Sequence, residues 1–319
     1  MITFSFSNCG YKANFPTNPT NPQMMPIRRC LTSSFRQIYQ WRRAILVQTV
    51  LIVTIATATT FMPEQQRVTL QQAINVFRRL KQRTTEAPFS DSRMAWRSSG
   101  RSNEELVRNL ERGRLFTSTR VRDAMLAVDR GDFSPRQPYM DQPQGIGWNA
   151  TISAPHMHAA ALEHLKNHLV DGAYALDVGS GSGYLTVCMA LMIGSNGKVV
   201  GIEHIPELVT LAKKNTEKHH ADLLSSGRVL FVEGDGREGY EMDHKYDAIH
   251  VGAAAETIPP ALIEQLANGG RMLIPVGKEH GNQVFLQVDK DDEGEVTQKV
   301  IEHVIYVPLT SKNHQLGRD

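Results

Sequence analysis

The stretch Ala175-Leu-Asp-Val-Gly-Ser-Gly-Ser-Gly-Tyr184 constrains this chain more than any other. An apolar run ends at Val178, three glycines alternate through 179, 181 and 183, and a helical pattern begins near Gly183. Glycine lets a backbone turn tightly and approach a ligand closely. A buried strand feeding such a loop into a helix belongs to an open parallel sheet, where ligands bind at the carboxyl ends of strands. The flanking sequence agrees. Short apolar runs predict strands at 173–178, 198–203, 228–233, 246–251 and 270–276, with helices at 183–193, 206–219 and 259–267. That alternation implies an α/β fold with a doubly wound, mainly parallel sheet. Two late runs, 283–289 and 301–307, have no helix between them and are expected to add antiparallel strands at one edge.

Upstream, Ser102-Asn-Glu-Glu105 is a capping box that opens a helix through about Arg112. A second helix is expected from Ser118 to about Asp129, with Val121, Met125 and Val128 on one face. Gly131 to Ile152 reads as loop, broken by Pro135, Pro138, Pro143, Gly145 and Gly147. Pro155 to Val170 reads as helix.

The loop alone does not name its ligand. A dinucleotide fingerprint, G-x-G-x-x-G, needs its third glycine where Tyr184 stands. A serine-hydrolase elbow needs a serine where Gly181 stands. Two acids narrow the choice. Glu203 ends the second strand, where a carboxylate accepts from both ribose hydroxyls. Asp235, in Glu233-Gly-Asp-Gly236, follows the third strand, where a carboxylate would accept from an adenine amino group. Taken singly, they read as a solvated strand end and an Asp-Gly turn. At three successive strand ends they describe a nucleoside pocket. No basic residue lies in the glycine loop, which suits a cofactor without phosphates. S-adenosylmethionine is such a cofactor, and its cationic sulfonium favours an acidic pocket.

Charge divides the chain near Met94. Residues 1–93 hold 12 Lys and Arg against 3 Asp and Glu, and the remaining 226 hold 23 against 30. An acidic body argues against nucleic acid as partner, because phosphate binding needs a basic stripe. The basic extension has no acid before Glu64. It carries an uncharged run, 44–62, directly after Arg42-Arg43. Its 19 residues approach the roughly 20 that span a bilayer, but Gln48 and five threonines dilute it. Three readings stay open: a membrane anchor, an organellar targeting segment, or a dispensable extension with Met94 opening the functional protein. The three cysteines, Cys9, Cys30 and Cys188, form no disulfide framework or zinc motif. A cytosolic monomer is the expectation, with membrane contact only through 44–62.

From Met94 to about Gln315 the chain resembles protein-L-isoaspartate O-methyltransferases in their animal form. The match is carried by Met94-Ala-Trp96, Pro138-Tyr-Met-Asp141, Ala150-Thr-Ile-Ser-Ala-Pro-His-Met-His158, Leu176 to Gly183, Gly234-Asp-Gly236, Asp247 to Ala255, and Val304-Ile-Tyr-Val-Pro-Leu-Thr310. The glycine loop is shared by many methyltransferases, whereas the run around Ser153 is far more specific. The resemblance implies a Rossmann-like sheet of the S-adenosylmethionine-dependent methyltransferase type. It implies methylation of the free α-carboxyl of isoaspartyl and D-aspartyl residues in damaged proteins and peptides, with S-adenosylhomocysteine as product. The ester then closes to a succinimide, which begins repair. It also implies Ser153 as the active-site residue. The cofactor positions it carries over are Thr151, Ile152, Ser153, His158, Val178, Gly179, Ser180, Gly181, Glu203, His204, Asp235, Gly236, Thr310 and Gln315. Glu203 often stands as Asp in relatives, which keeps the carboxylate.

A carboxylate acceptor is ionised at neutral pH, so no general base is needed. Catalysis then rests on holding oxygen and methyl carbon in line. Ser153 precedes Pro155 by two residues, which predicts a helix N-cap whose first-turn amides and hydroxyl together hold an anion. His156, His158, His164 and His168 invite a metal reading, but no third ligand is identifiable, so no metal is assigned. The alternatives are a methyltransferase of another acceptor, a catalytically silent cofactor-binding protein, and a nicotinamide dehydrogenase disfavoured by Tyr184.

Overall fold

A computed structural model describes residues 98–279 and 281–318. The basic extension, the 44–62 run and Met94-Ala-Trp96 lie outside the described residues. The chain opens with two helices, α1 (Asn103–Arg112) and α2 (Thr119–Ala127). The capping box forms in part. The Ser102 hydroxyl accepts from the Glu105 amide at 3.2 Å, but the Glu105 carboxylate takes the Arg101 amide rather than that of Ser102. Leu106, Val107 and Leu110 bury one face of α1, while Val121, Ala124 and Met125 bury one of α2.

The region expected to be loop contains a small hairpin, β1 (Gln144–Gly147) and β2 (Ala150–Ile152). Its two turn residues, Trp148 and Asn149, have φ of 50° and 56°. Left-handed conformation at both central positions is what a two-residue hairpin needs to match strand twist. Helix α3 (Pro155–Leu165) follows directly and is shorter than expected, ending five residues before Val170.

The body alternates as read: β3 (Tyr174–Val178), α4 (Tyr184–Ile193), β4 (Lys198–Glu203), α5 (Pro206–Ser225), β5 (Val229–Glu233), β6 (Tyr246–Val251), α6 (Pro260–Gln265) and β7 (Leu266–Val276). Helix α5 breaks its dihedral pattern at His220, one residue beyond the expected end. Two antiparallel strands, β8 (Gln283–Lys290) and β9 (Val296–Val304), complete one edge. Strand β9 starts five residues before its apolar run. Its first residues are exposed on an outer strand, so pairing rather than burial places them. A short helix, α7 (Lys312–Gln315), closes the described chain.

The seven strands run in the order β5-β4-β3-β6-β7-β8-β9. Strands β3 to β7 pair in parallel. Successive strand residues face opposite sides, so Ala175 packs with α3, α4 and α5, while Leu176 and Val178 pack with Leu262 of α6. Chain order reverses at β3, whose neighbours are β4 and β6. That reversal opens a crevice beyond the carboxyl ends of β3 and β6, the general ligand position in such sheets.

Candidate active site

A cleft open to solvent lies in that crevice. Its floor is strand ends: Gly179 and Gly181 after β3, Ile202 to His204 at β4, Gly236 beyond β5, and Gly252-Ala253 after β6. Ala150 and Thr151 of the hairpin and the Val307–Thr310 segment with Gln315 form its other walls. No Lys or Arg lines it. A pyrophosphate would find no cationic partner there, whereas a nucleoside without phosphates fits.

The glycine loop is built from backbone bonds. Gly179 and Ser180 donate to the Ile202 carbonyl at 2.9 and 3.1 Å, tying the loop to β4. Gly179, Gly181 and Gly183 all have positive φ. At Gly183, with φ of 89°, an added Cβ would stand 3.0 Å from Phe231 Cζ and 3.1 Å from Ala212 Cβ. A side chain is therefore opposed there by backbone conformation and by packing between α4, α5 and β5.

Glu203 is 7% exposed and directs its carboxylate back toward the loop. Its oxygens accept from the Gly181 amide at 3.2 Å and the Ile205 amide at 3.1 Å. Burial raises its pKa, and the backbone donors, with nearby His204, oppose that rise. Lone pairs remain for further donors, because a carboxylate has about four acceptor sites. The His204 ring meets the Gln315 side-chain oxygen at 2.7 Å. Gln315 also donates to the Trp148 carbonyl at 2.9 Å, and Asn149 donates to the Gln315 carbonyl at 2.8 Å. The hairpin turn and α7 are thus clasped across the cavity.

Thr151, Gly179, Gly181, Glu203, His204, Gly236, Thr310 and Gln315 line the cavity as the sequence reading expects. Ile152, Ser153, Val178, Ser180, His158 and Asp235 do not. Ile152 and Val178 are core residues beneath it. Ser180 is buried within the loop. Asp235 is half-buried, and both its oxygens are engaged by Arg237, with Nη2 to Oδ2 at 2.5 Å and Nε to Oδ1 at 2.9 Å. The arginine holds that carboxyl below the usual range. An adenine amino group would have to use the lone pairs that Arg237 leaves. His158 departs furthest from its expected role. Its Nδ1 meets Arg130 Nη1 at 3.2 Å and its ring packs 5.0 Å from Tyr184. Burial, then the neighbouring Arg130 charge, push its pKa well down, so it is a neutral core histidine.

Ser153 corrects the helix-start reading. The N-cap of α3 is Ala154, at φ −58° and ψ 145°, and no side chain caps it. Pro155 occupies the first helical position, and a proline forces the preceding residue out of helical conformation. Pro155 has no N–H to offer. The His156 amide donates to Asp141 Oδ1 at 3.0 Å, and the Met157 and His158 amides turn back to the Ala154 carbonyl. The first-turn amides are therefore spent, and the buried Asp141 carboxylate supplies the cap from a distant loop.

Instead Ser153 meets a partner that the sequence reading did not single out. Its hydroxyl lies near the Tyr306 phenol, whose pKa is raised mainly by burial and lowered slightly by that neighbour. Gln283 clamps the Tyr306 backbone, accepting from its amide at 2.7 Å and donating to its carbonyl at 3.2 Å. The ring stacks on Phe285. Two hydroxyls thus converge beside the wall formed by Thr151 and Val307. Tyr306 stands inside the quoted Val304–Thr310 run, so the signal was present without its geometry. Arg130, fully buried behind Ser153, had no such signal: an arginine between Asp129 and Gly131 reads as surface. Among the described residues, no group of three His, Cys, Asp or Glu is arranged to hold a metal.

A mainly parallel sheet with an acidic, phosphate-free cavity at its reversal point defines an S-adenosylmethionine-dependent methyltransferase. Comparison with known proteins narrows this class. Residues 101–314 match the family described as protein-L-isoaspartate(D-aspartate) O-methyltransferase. A protein-L-isoaspartate O-methyltransferase of Caenorhabditis elegans is 63% identical over 226 residues, which are 71% of this chain and all of that protein. Protein-L-isoaspartate O-methyltransferase 1 of Arabidopsis thaliana is 50% identical over 70% of this chain and 97% of its own length. A Plasmodium falciparum structure, named for the same activity and holding S-adenosyl-L-homocysteine, superposes with a TM-score of 0.62. It is 35% identical and covers 66% of this chain and 99% of its own. The chain belongs to the protein-L-isoaspartate(D-aspartate) O-methyltransferase family.

Proposed function

We infer that this enzyme transfers a methyl group from S-adenosylmethionine to the free α-carboxyl of isoaspartyl and D-aspartyl residues in damaged proteins. The cleft at the strand ends carries the reading: Glu203 and the glycine loop line it without any Lys or Arg, and Ser153 follows its Thr151 wall by two residues, where a hydroxyl can hold a carboxylate without deprotonating anything. When bound, S-adenosylmethionine supplies a sulfonium-activated methyl group. Glu203 and the glycine loop would hold its ribose, with Gly236, Thr310, His204 and Gln315 around the nucleoside. Ser153 would donate a hydrogen bond to one carboxylate oxygen and leave the other free to attack. Alignment, rather than acid–base chemistry, is then what the protein contributes. Repair follows outside the enzyme as the methyl ester closes to a succinimide.

Mixing the full chain with labelled S-adenosylmethionine and matched isoaspartyl and aspartyl peptides tests the assignment. Methyl transfer to the isoaspartyl peptide alone is expected, and equal labelling of both would reject it. We further propose a monomer, because exposed apolar signals are sparse, working in the cytosol, because three cysteines make no disulfide framework. No described helix is long and apolar enough to cross a membrane. Sedimentation of the purified chain and fractionation of tagged full-length protein test those two points.

A further inference from the structure

We propose that Arg130 is the positioning residue of the acceptor site: it fixes the Ser153 backbone and, as a buried cation with no carboxylate partner, biases that site toward an anionic acceptor. This rests on the isoaspartyl reading above and adds the source of its charge selectivity.

Arg130 is 0% exposed, the largest side chain so deeply buried among the described residues. It lies in a short 3-10 turn, Arg130–Asp132, that Asp129 caps through the Gly131 amide. The turn is locked from α1, where Asn103 Oδ1 accepts from the Arg130 amide. From there the guanidinium reaches inward. One terminal nitrogen donates to the Ser153 carbonyl at 2.7 Å and the other to His158 Nδ1 at 3.2 Å. The plane sits 5.4 Å from the Tyr184 ring centroid, a cation–π contact. The backbone just before α3 is therefore held by the guanidinium as well as by the Asp141 cap.

The charge balance is unusual. Buried arginines ordinarily pair with carboxylates. Arg130 forms no ion pair among the described residues, and its Nε has no partner. The groups around it are neutral histidine and tyrosine, the Cys188 thiol and Asp141. Asp141 makes no ion pair with it: its Oδ1 takes the amide and ring of His156, its Oδ2 has no partner, and its charge offsets part of the cation from a distance. Burial lowers the guanidinium pKa only to about 10, so it stays charged at neutral pH. A cation that is only partly offset in a low-dielectric interior acts over several ångströms. The Ser153 carbonyl that it grips belongs to the residue whose hydroxyl would hold the acceptor. The isoaspartyl carboxylate would then complete the charge balance only when substrate is seated.

The test uses the full chain saturated with S-adenosylhomocysteine. Wild type is first shown to methylate an isoaspartyl peptide; failure there rejects the functional reading itself. Binding of that peptide is then compared with binding of its α-carboxamide analogue. We expect wild type to prefer the carboxylate, and Arg130→Gln to cut that preference by about tenfold or more while leaving S-adenosylhomocysteine affinity within about threefold. Arg130→Lys keeps the charge and should retain most of the preference while lowering kcat, because one donor replaces a fork. A purely structural arginine would weaken both peptides equally. An unchanged carboxylate-to-carboxamide ratio in Arg130→Gln overturns the proposal. Should Arg130→Gln not fold, Arg130→Met takes its place as the charge-removing variant: a lowered ratio supports the proposal and an unchanged one overturns it.

Discussion

Replacing Glu203 by Gln separates cofactor recognition from fold. The glutamate holds two backbone amides at 3.1 and 3.2 Å, one on each oxygen. Glutamine keeps one oxygen and turns an NH₂ toward the other amide, leaving a buried N–H unsatisfied at a cost of about 1–3 kcal/mol. Against that, the substitution removes a buried charge whose desolvation raises the carboxyl pKa. The two effects oppose, so unliganded stability should change little at neutral pH. Binding should change much more. Hydrogen bonds to a charged acceptor are worth about 1.5–3 kcal/mol, so losing one from a ribose hydroxyl should raise the Kd by about 10- to 150-fold. Calorimetric titration with S-adenosylhomocysteine measures this directly, and Glu203→Asp should fall between the two. The pH dependence follows. A raised native pKa means that the folded chain holds its proton longer than the unfolded one. This contribution therefore lowers unliganded stability as pH rises from about 4.5 to the folded value. Gln removes that slope. A Kd within threefold of wild type would refute ribose recognition by Glu203.

Three further outcomes are expected. Ser153→Ala should depress methylation of isoaspartyl peptide while leaving S-adenosylhomocysteine affinity within about threefold, and matched losses would reject its role at the acceptor; Tyr306→Phe should fall in between, because the serine keeps its hydroxyl but loses a neighbouring one. Gly183→Ala should cost about 2–5 kcal/mol in urea unfolding, combining positive φ with overpacking against Phe231 and Ala212; an unchanged midpoint would mean that the loop relaxes freely. His158, His164 and His168 all have pKa values lowered chiefly by burial. The unfolded chain binds their protons first, so stability should fall as pH drops below about 6.5, and a flat profile between pH 7.5 and 5.5 would contradict neutral buried histidines.

What the sequence revealed depended on range. Strands β3 to β7 and their helices were legible because their signals are local: apolar runs, punctuated by glycine and proline, with helix caps. The glycine loop, Glu203 and the carboxyl-end placement followed from the same pattern. The hairpin was missed because Trp148 and Asn149 carry no glycine to advertise their positive φ. The helix start was misplaced by one residue because Pro155 moves the cap to Ala154, and its real cap, Asp141, lies 15 residues away from the amide it satisfies. Long-range pairings such as Ser153 with Tyr306, or Arg130 with His158, have no sequence period. They exist only once the sheet has brought its edge and its first helices together. His158, carried over by resemblance as a cofactor position, is buried with its Nδ1 facing Arg130.

The clasp between the hairpin and Gln315 has a consequence for synthesis. Residues separated by 167 positions must meet before the nucleoside cavity has its outer wall. The glycine loop, Glu203 and Gly236 emerge from the ribosome early, yet Val307 to Gln315 are the last cavity residues to be made. A nascent chain can therefore fold its central strands and still lack a closed cofactor site. Loss of Gln315 would therefore act on the cofactor cleft, through both Trp148 and His204.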